Sequence, residues 1–123
     1  MHAALAVALG GAAGGALRYA FSGLVARRIG ETFPWGTLFV NVSGCFAIGA
    51  MAPLLPEGSL LRAAILTGLL GGYTTVSSFS LQTITLIREG QWLAAFGNCV
   101  LSVVLTFAAA GGGMLLSAEL ASR

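Results

Sequence analysis

Four long apolar stretches, separated by short polar or proline-marked breaks, take up nearly the whole chain. The first runs from about residue 3 to 26 and ends on Arg27-Arg28; the second, about 35 to 55, opens after Pro34 and closes at Pro53 and Pro56. The third covers about 60 to 87 and stops at Arg88-Glu89-Gly90. The fourth begins near Trp92 and reaches about 116, with Glu119 and Arg123 beyond it. Each has roughly the 20 apolar residues needed to cross a hydrocarbon core. Trp35 and Trp92 stand at the starts of spans two and four, where amphipathic indoles favour the headgroup layer. The pattern predicts an all-α membrane protein, with one four-helix transmembrane domain over residues 1–123.

One interruption stands out within the apolar pattern. Gly71-Gly72-Tyr73-Thr74-Thr75-Val76-Ser77-Ser78-Phe79-Ser80 sets two glycines and a run of hydroxyls in the middle of the third span. In hydrocarbon every backbone N–H and C=O must find a partner, so a helix breaks there only where protein, an ion or water supplies one. A third helix broken at its centre is expected, with an ion site at the break.

Composition agrees with the class. The chain is 57% hydrophobic and 8% charged, against about 25% charged residues in soluble domains. The first stretch lacks a basic leader segment and continues through Arg18 to an arginine pair, so it reads as a mature helix and not a signal peptide. Cys45 and Cys99 both fall inside spans and read as small packing residues, without a disulfide or a metal.

With four spans both termini share one side. That side carries Arg62, Arg123 and the amino terminus, and the other carries Arg27, Arg28 and Arg88. The positive-inside rule barely separates the two orientations, which makes dual topology and an antiparallel two-fold dimer a natural expectation.

Gly10-x-x-x-Gly14, Gly11-x-x-x-Gly15 and Gly68-x-x-x-Gly72 have the spacing that lets helix backbones approach closely, and Gly111-Gly112-Gly113 reads the same way. Arg18 lies inside span one and reads either as a snorkelling cation or as an interior anchor for carbonyls and an attraction for anions. Asn41, two residues before Ser43, is either interhelical glue or an amide donor to an anion. Asn98, Ser102 and Thr106 repeat at i, i+4 and i+8 and form either a dimer seam or a polar track. Tyr73 and Phe79 flank the hydroxyls; each is a core ring or one whose positive edge can face a small anion. Thr74, Thr75, Ser77 and Ser78 can cap the broken ends or donate to an ion, while carbonyls freed at the break can hold a cation.

Missing residues exclude chemistry. Glu31, Glu57, Glu89 and Glu119 all lie at or beyond span ends, so the buried carboxylate of a proton-coupled small multidrug transporter has no counterpart. Asn41-Val42-Ser43-Gly44 superficially resembles a serine-protease loop, yet the one histidine is His2, and no base is at hand for a nucleophile. No enzymatic activity is expected.

Three motifs in order carry a family resemblance: the run from Gly10 to Tyr19, Gly36-Thr37-Leu38-Phe39-Val40-Asn41, and the run from Thr67 to Ser80. Together they closely resemble the Fluc (CrcB) fluoride channels over nearly the whole chain. That resemblance implies an antiparallel dual-topology homodimer in the cell inner membrane, with two fluoride pores and passive export that relieves fluoride toxicity. It further implies a structural sodium ion held by the backbone carbonyls of Gly71 and Thr74 of each subunit. Asn41 becomes the pore amide, Phe79 a ring-edge fluoride contact, Ser102 and Thr106 the polar track, and Arg18, Gly72 and Thr75 structural supports. Val76 stands where the family usually has a second phenylalanine, and a valine has no positive edge to offer. A non-transporting membrane scaffold, in which the polar residues only hold helices together, is the alternative from a different class.

Overall fold

The computed structural model describes all 123 residues and is helical throughout, without a strand. Helix α1 covers His2–Ile29 and α2 covers Trp35–Met51, the latter running into a tight 3₁₀ turn at Ala52–Leu54 where Pro53 ends regular helix. Helix α3 starts as Leu60–Arg62, widens into a π-helical stretch over Ala63–Leu70 and returns to α geometry at Gly71–Tyr73. Helix α4, Val76–Arg88, and helix α5, Trp92–Ala121, complete the chain.

Three segments, His2–Ile29, Trp35–Leu54 and Trp92–Ala121, are each long and apolar enough to cross a bilayer. The expected third span is divided. Its break falls at Thr74 (φ −74°, ψ 154°) and Thr75 (φ −150°, ψ 121°), both in extended conformation. Each half is too short to cross alone: the 13 residues of α4 rise about 20 Å.

Glycines bring the helices together. A Cβ on Gly10 or Gly14 of α1 would collide with the α3 carbonyls of Ala64 or Leu69, and one on Gly72 would meet the carbonyl oxygen and Cα of Gly11. Backbone therefore touches backbone where α1 crosses α3. Of the two overlapping glycine pairs in α1, only Gly10 and Gly14 need to be glycine. Gly15 faces open space, and Gly11 takes part through its main chain. The α2–α5 contact is built similarly, with Gly49 against Ala110 and Gly113 against Phe46. Gly111 meets nothing, so the glycine triple acts in packing mainly through its last member.

Polar bonds secure the ends. Arg62 Nη1 donates to the carbonyls of Ala52 (2.7 Å) and Leu55 (2.8 Å), tying the start of α3 to the 3₁₀ turn that follows α2. Only 16 of 123 residues are buried, whereas Leu9, Leu93, Phe96, Phe107 and Leu115 are exposed. An apolar exterior of this kind is suited to lipid, where exposed leucine incurs no penalty.

Gly14→Val is expected to destabilise the protein by about 1–3 kcal/mol through overpacking, and Gly15→Ala to leave it as stable as the parent or up to about 1 kcal/mol more stable, through helix propensity. Thermal unfolding in detergent reads both; equal melting of the two variants would contradict the packing described.

Candidate functional site at the broken helix

Two β-branched residues, Thr74 and Thr75, leave the helix together, and their own groups close its two ends. Thr74 N–H donates to the Leu70 carbonyl at 3.0 Å, and Thr74 Oγ1 donates to the same oxygen at 3.0 Å, which finishes α3. Thr75 Oγ1 accepts from Ser78 N–H at 3.2 Å and caps the start of α4. The carbonyl end of α3 and the N–H end of α4 therefore meet at membrane depth. Opposite partial charges of the two helix termini lie side by side there.

Asn41 of α2 holds the break open. Its Oδ1 accepts from Thr75 N–H at 2.7 Å and its Nδ2 donates to the Thr75 carbonyl at 2.9 Å, satisfying both backbone groups of one residue. The amide is thus interhelical glue in this chain, and it retains one N–H beyond the clamp. From the opposite side, Arg18 Nη1 of α1 approaches the Thr74 carbonyl at 3.5 Å. Arg18 stands at the break as a carbonyl anchor and brings a positive charge to it. Tyr73 is buried, its ring edge-on to Phe21 and its hydroxyl 2.9 Å from Ser43 Oγ.

A cavity of about 510 Å³ opens beside the break. Asn41 and Cys45 of α2 form one wall; Gly71, Thr74, Thr75, Val76 and Phe79 form the second; Ser102, Val103, Thr106 and Phe107 of α5 form the third. The sequence-selected residues Asn41, Phe79, Ser102, Thr106, Val76, Gly71, Thr74 and Thr75 are thus brought to one place. Val76 is 76% exposed in the single chain. Gly72 lies instead in the α1 contact, and Thr106 Oγ1 donates to the Ser102 carbonyl at 2.6 Å.

Asn98 leaves the expected stripe. It is buried between helices and donates to Thr83 Oγ1 at 2.9 Å, so only Ser102 and Thr106 of the three reach the cavity. Cys45, which its sequence position marks only as a packing residue, also lines the cavity, as do Val103 and Phe107, which no sequence feature singled out. Cys45 follows Asn41 by four residues and Phe107 follows Thr106 by one, and the helical spacing of Cys45 was the usable signal.

The polar side chains that line this cavity, Asn41, Thr74, Thr75, Ser102 and Thr106, are all neutral. No group of three or more histidine, cysteine or acidic side chains suited to a metal exists in the chain. A hard cation here would be held by the Gly71 and Thr74 carbonyls, since hard ions take oxygen ligands. The Thr74 oxygen has two lone pairs, so the Arg18 contact leaves one available.

A second, larger cavity of about 830 Å³ lies between the α1–α2 loop and α4. Glu31, Glu89 and Gln91 line it near the helix ends, and Thr37, Ser78 and Gln82 line it deeper. Ser78 Oγ accepts from Thr75 Oγ1 at 3.3 Å, so the two cavities adjoin at that hydroxyl pair.

Comparison with known proteins identifies the relatives. Residues 5–114 match a family model described as CrcB-like protein, Camphor Resistance (CrcB). A protein of Opitutus terrae, named a fluoride-specific ion channel FluC, is 53% identical over 96% of this chain and 94% of its own length. One from Rhodospirillum rubrum with the same name is 56% identical over 81% of this chain and 82% of its own. Bradyrhizobium diazoefficiens has a fluoride-specific ion channel FluC 2 that is 50% identical over 92% of this chain and 87% of its own length.

Asn41→Leu removes both partners of Thr75 at once. It is expected to lower stability by at least about 2 kcal/mol, since each buried unpaired backbone group costs about 1–3 kcal/mol, and to speed hydrogen exchange at the Thr75 amide. Unchanged melting and exchange would show that the clamp does not hold the break.

Proposed function

This chain belongs to the CrcB-like family, and we propose that it is a fluoride-selective channel that lets fluoride leave the cell passively. One observation carries the reading: the broken third helix, with neutral donors and a ring gathered in one cavity at membrane depth. Fluoride is small and strongly hydrated. A selective path must replace its water with closely placed donors, yet hold the ion weakly enough to release it.

The residues here meet that demand in distinct ways. The N-terminal end of α4 carries partial positive charge at the break, and Arg18 adds a full charge behind the Thr74 carbonyl. Asn41 contributes the N–H outside its clamp, Ser102 contributes its hydroxyl, and Phe79 contributes the positive edge of its ring. Thr75 and Thr106 line the same cavity and donate to an ion only on releasing Ser78 Oγ and the Ser102 carbonyl. Val76 supplies no ring, so the proposed path has one aromatic contact from α4 and relies on hydroxyls at that level. No carboxylate lines this cavity, which supports passive conduction over proton-coupled exchange.

The proposed assembly is an antiparallel homodimer in the inner membrane. Phe107 and Val76, 77% and 76% exposed at the wall of the cavity, give a second copy an apolar face to cover. A sodium ion between two breaks would be held by Gly71 and Thr74 carbonyls from both copies, and would supply a fixed positive charge between the subunits. One copy brings only two such carbonyls, fewer than a cation site needs.

The test is fluoride release from liposomes holding the purified protein, with a chloride-loaded control. Fluoride release without chloride release is expected, and Phe79→Ile should slow it while the dimer persists. A folded, sodium-supplied dimer that releases no fluoride, or a Phe79→Ile variant that changes assembly alone, would favour the scaffold reading.

A further inference from the structure

We propose that Gln82 of α4 is the uncommitted amide that meets the ion between solvent and the break, a role that rests on the fluoride-channel reading. Three amide side chains lie within the membrane-length segments near the two cavities, and two of them are spent. Asn41 is clamped to the Thr75 backbone, and Asn98 donates to Thr83. Gln82 differs: its Oε1 is shut away from solvent and meets no donor of the chain. An amide with a buried orphan oxygen is not there to hold helices together, because a structural amide satisfies what it buries.

Its position gives the orphan a use. Gln82 lines the larger cavity one helical turn from Ser78 on the same face of α4. Ser78 in turn bonds Thr75, which lines the central cavity. Toward the helix ends the same cavity is lined by the loop residues Gly30 to Pro34 and by Glu89 and Gln91. Gln82, Ser78 and Thr75 therefore form a descending series of polar groups from the mouth of that cavity to the break.

Rotation about the last side-chain torsion exchanges the oxygen and nitrogen of a glutamine. At Gln82 no bond to Oε1 opposes that rotation. The amide can turn its oxygen toward a water of the hydration shell and its N–H groups toward the anion, and hydrogen bonds to an ionic partner are the stronger class. A neutral group does this without the trapping that a fixed positive charge would cause.

Gln82→Met keeps length and removes both polar atoms. Since Oε1 has no partner to lose, thermal stability and dimer formation should be unchanged, while initial fluoride efflux falls about tenfold, the scale of one hydrogen bond to a charged group. Gln82→Glu sets a titrating group on the path, so its efflux should vary with pH through the carboxylate range beyond any variation in the parent, whose cavity already holds Glu31 and Glu89. Parent-like efflux in Gln82→Met, or a Gln82→Glu profile that superimposes on the parent's, would overturn the assignment. Absence of fluoride release from the parent protein would instead overturn the channel reading itself.

Discussion

Backbone satisfaction in a medium without water is the constraint on which this structure depends. A helix that breaks at membrane depth exposes carbonyls at one end and N–H groups at the other, and each left unpaired in hydrocarbon costs several kcal/mol. Here the chain answers with side chains from two helices and from the break itself. Asn41 takes both backbone groups of Thr75, Thr75 caps α4, and Arg18 reaches the Thr74 carbonyl. The glycine contacts serve the same end: α1 lies against α3 backbone to backbone, and this close approach brings Arg18 near enough to touch the break.

A break held in this way has two chemical characters in one place. The end of α3 presents carbonyl oxygens suited to a cation, and the start of α4 presents N–H groups and hydroxyls suited to an anion. The cavity lining contains no acidic or basic side chain, and the one charged group at the break, Arg18, reaches it from α1 through the Thr74 carbonyl. This duality is compatible with the proposed pairing of a fixed sodium ion with a mobile fluoride. It also explains why a second copy is proposed, since one chain leaves the cavity walled on one side by exposed Val76 and Phe107.

Much of this was legible in the residues. Apolar run lengths and prolines located the helices, although the first continues past Arg27-Arg28 to Ile29 and the last past Glu119 to Ala121, and Gly71-Gly72 followed by hydroxyls marked the break to within a few residues. Side-chain commitments were not legible. Asn41 could be read as glue or donor because an amide serves either use, and only the 2.7 Å and 2.9 Å bonds to Thr75 show the clamp. Periodicity put Asn98 on a face with Ser102 and Thr106, but a helical face wide enough to hold three polar residues touches two neighbours. Asn98 found Thr83 while the other two found the cavity. Overlapping glycine pairs in α1 were equally ambiguous, since both fit the spacing and only contact with α3 separates them.

Assembly is where the account is most directly tested, because the break of one chain is proposed to be completed by another. Native mass spectrometry of the protein released from lipid in sodium-containing buffer measures chain number and bound cation together. The account predicts a two-chain species retaining one sodium ion, whereas a single 12.4 kDa chain free of metal would contradict it.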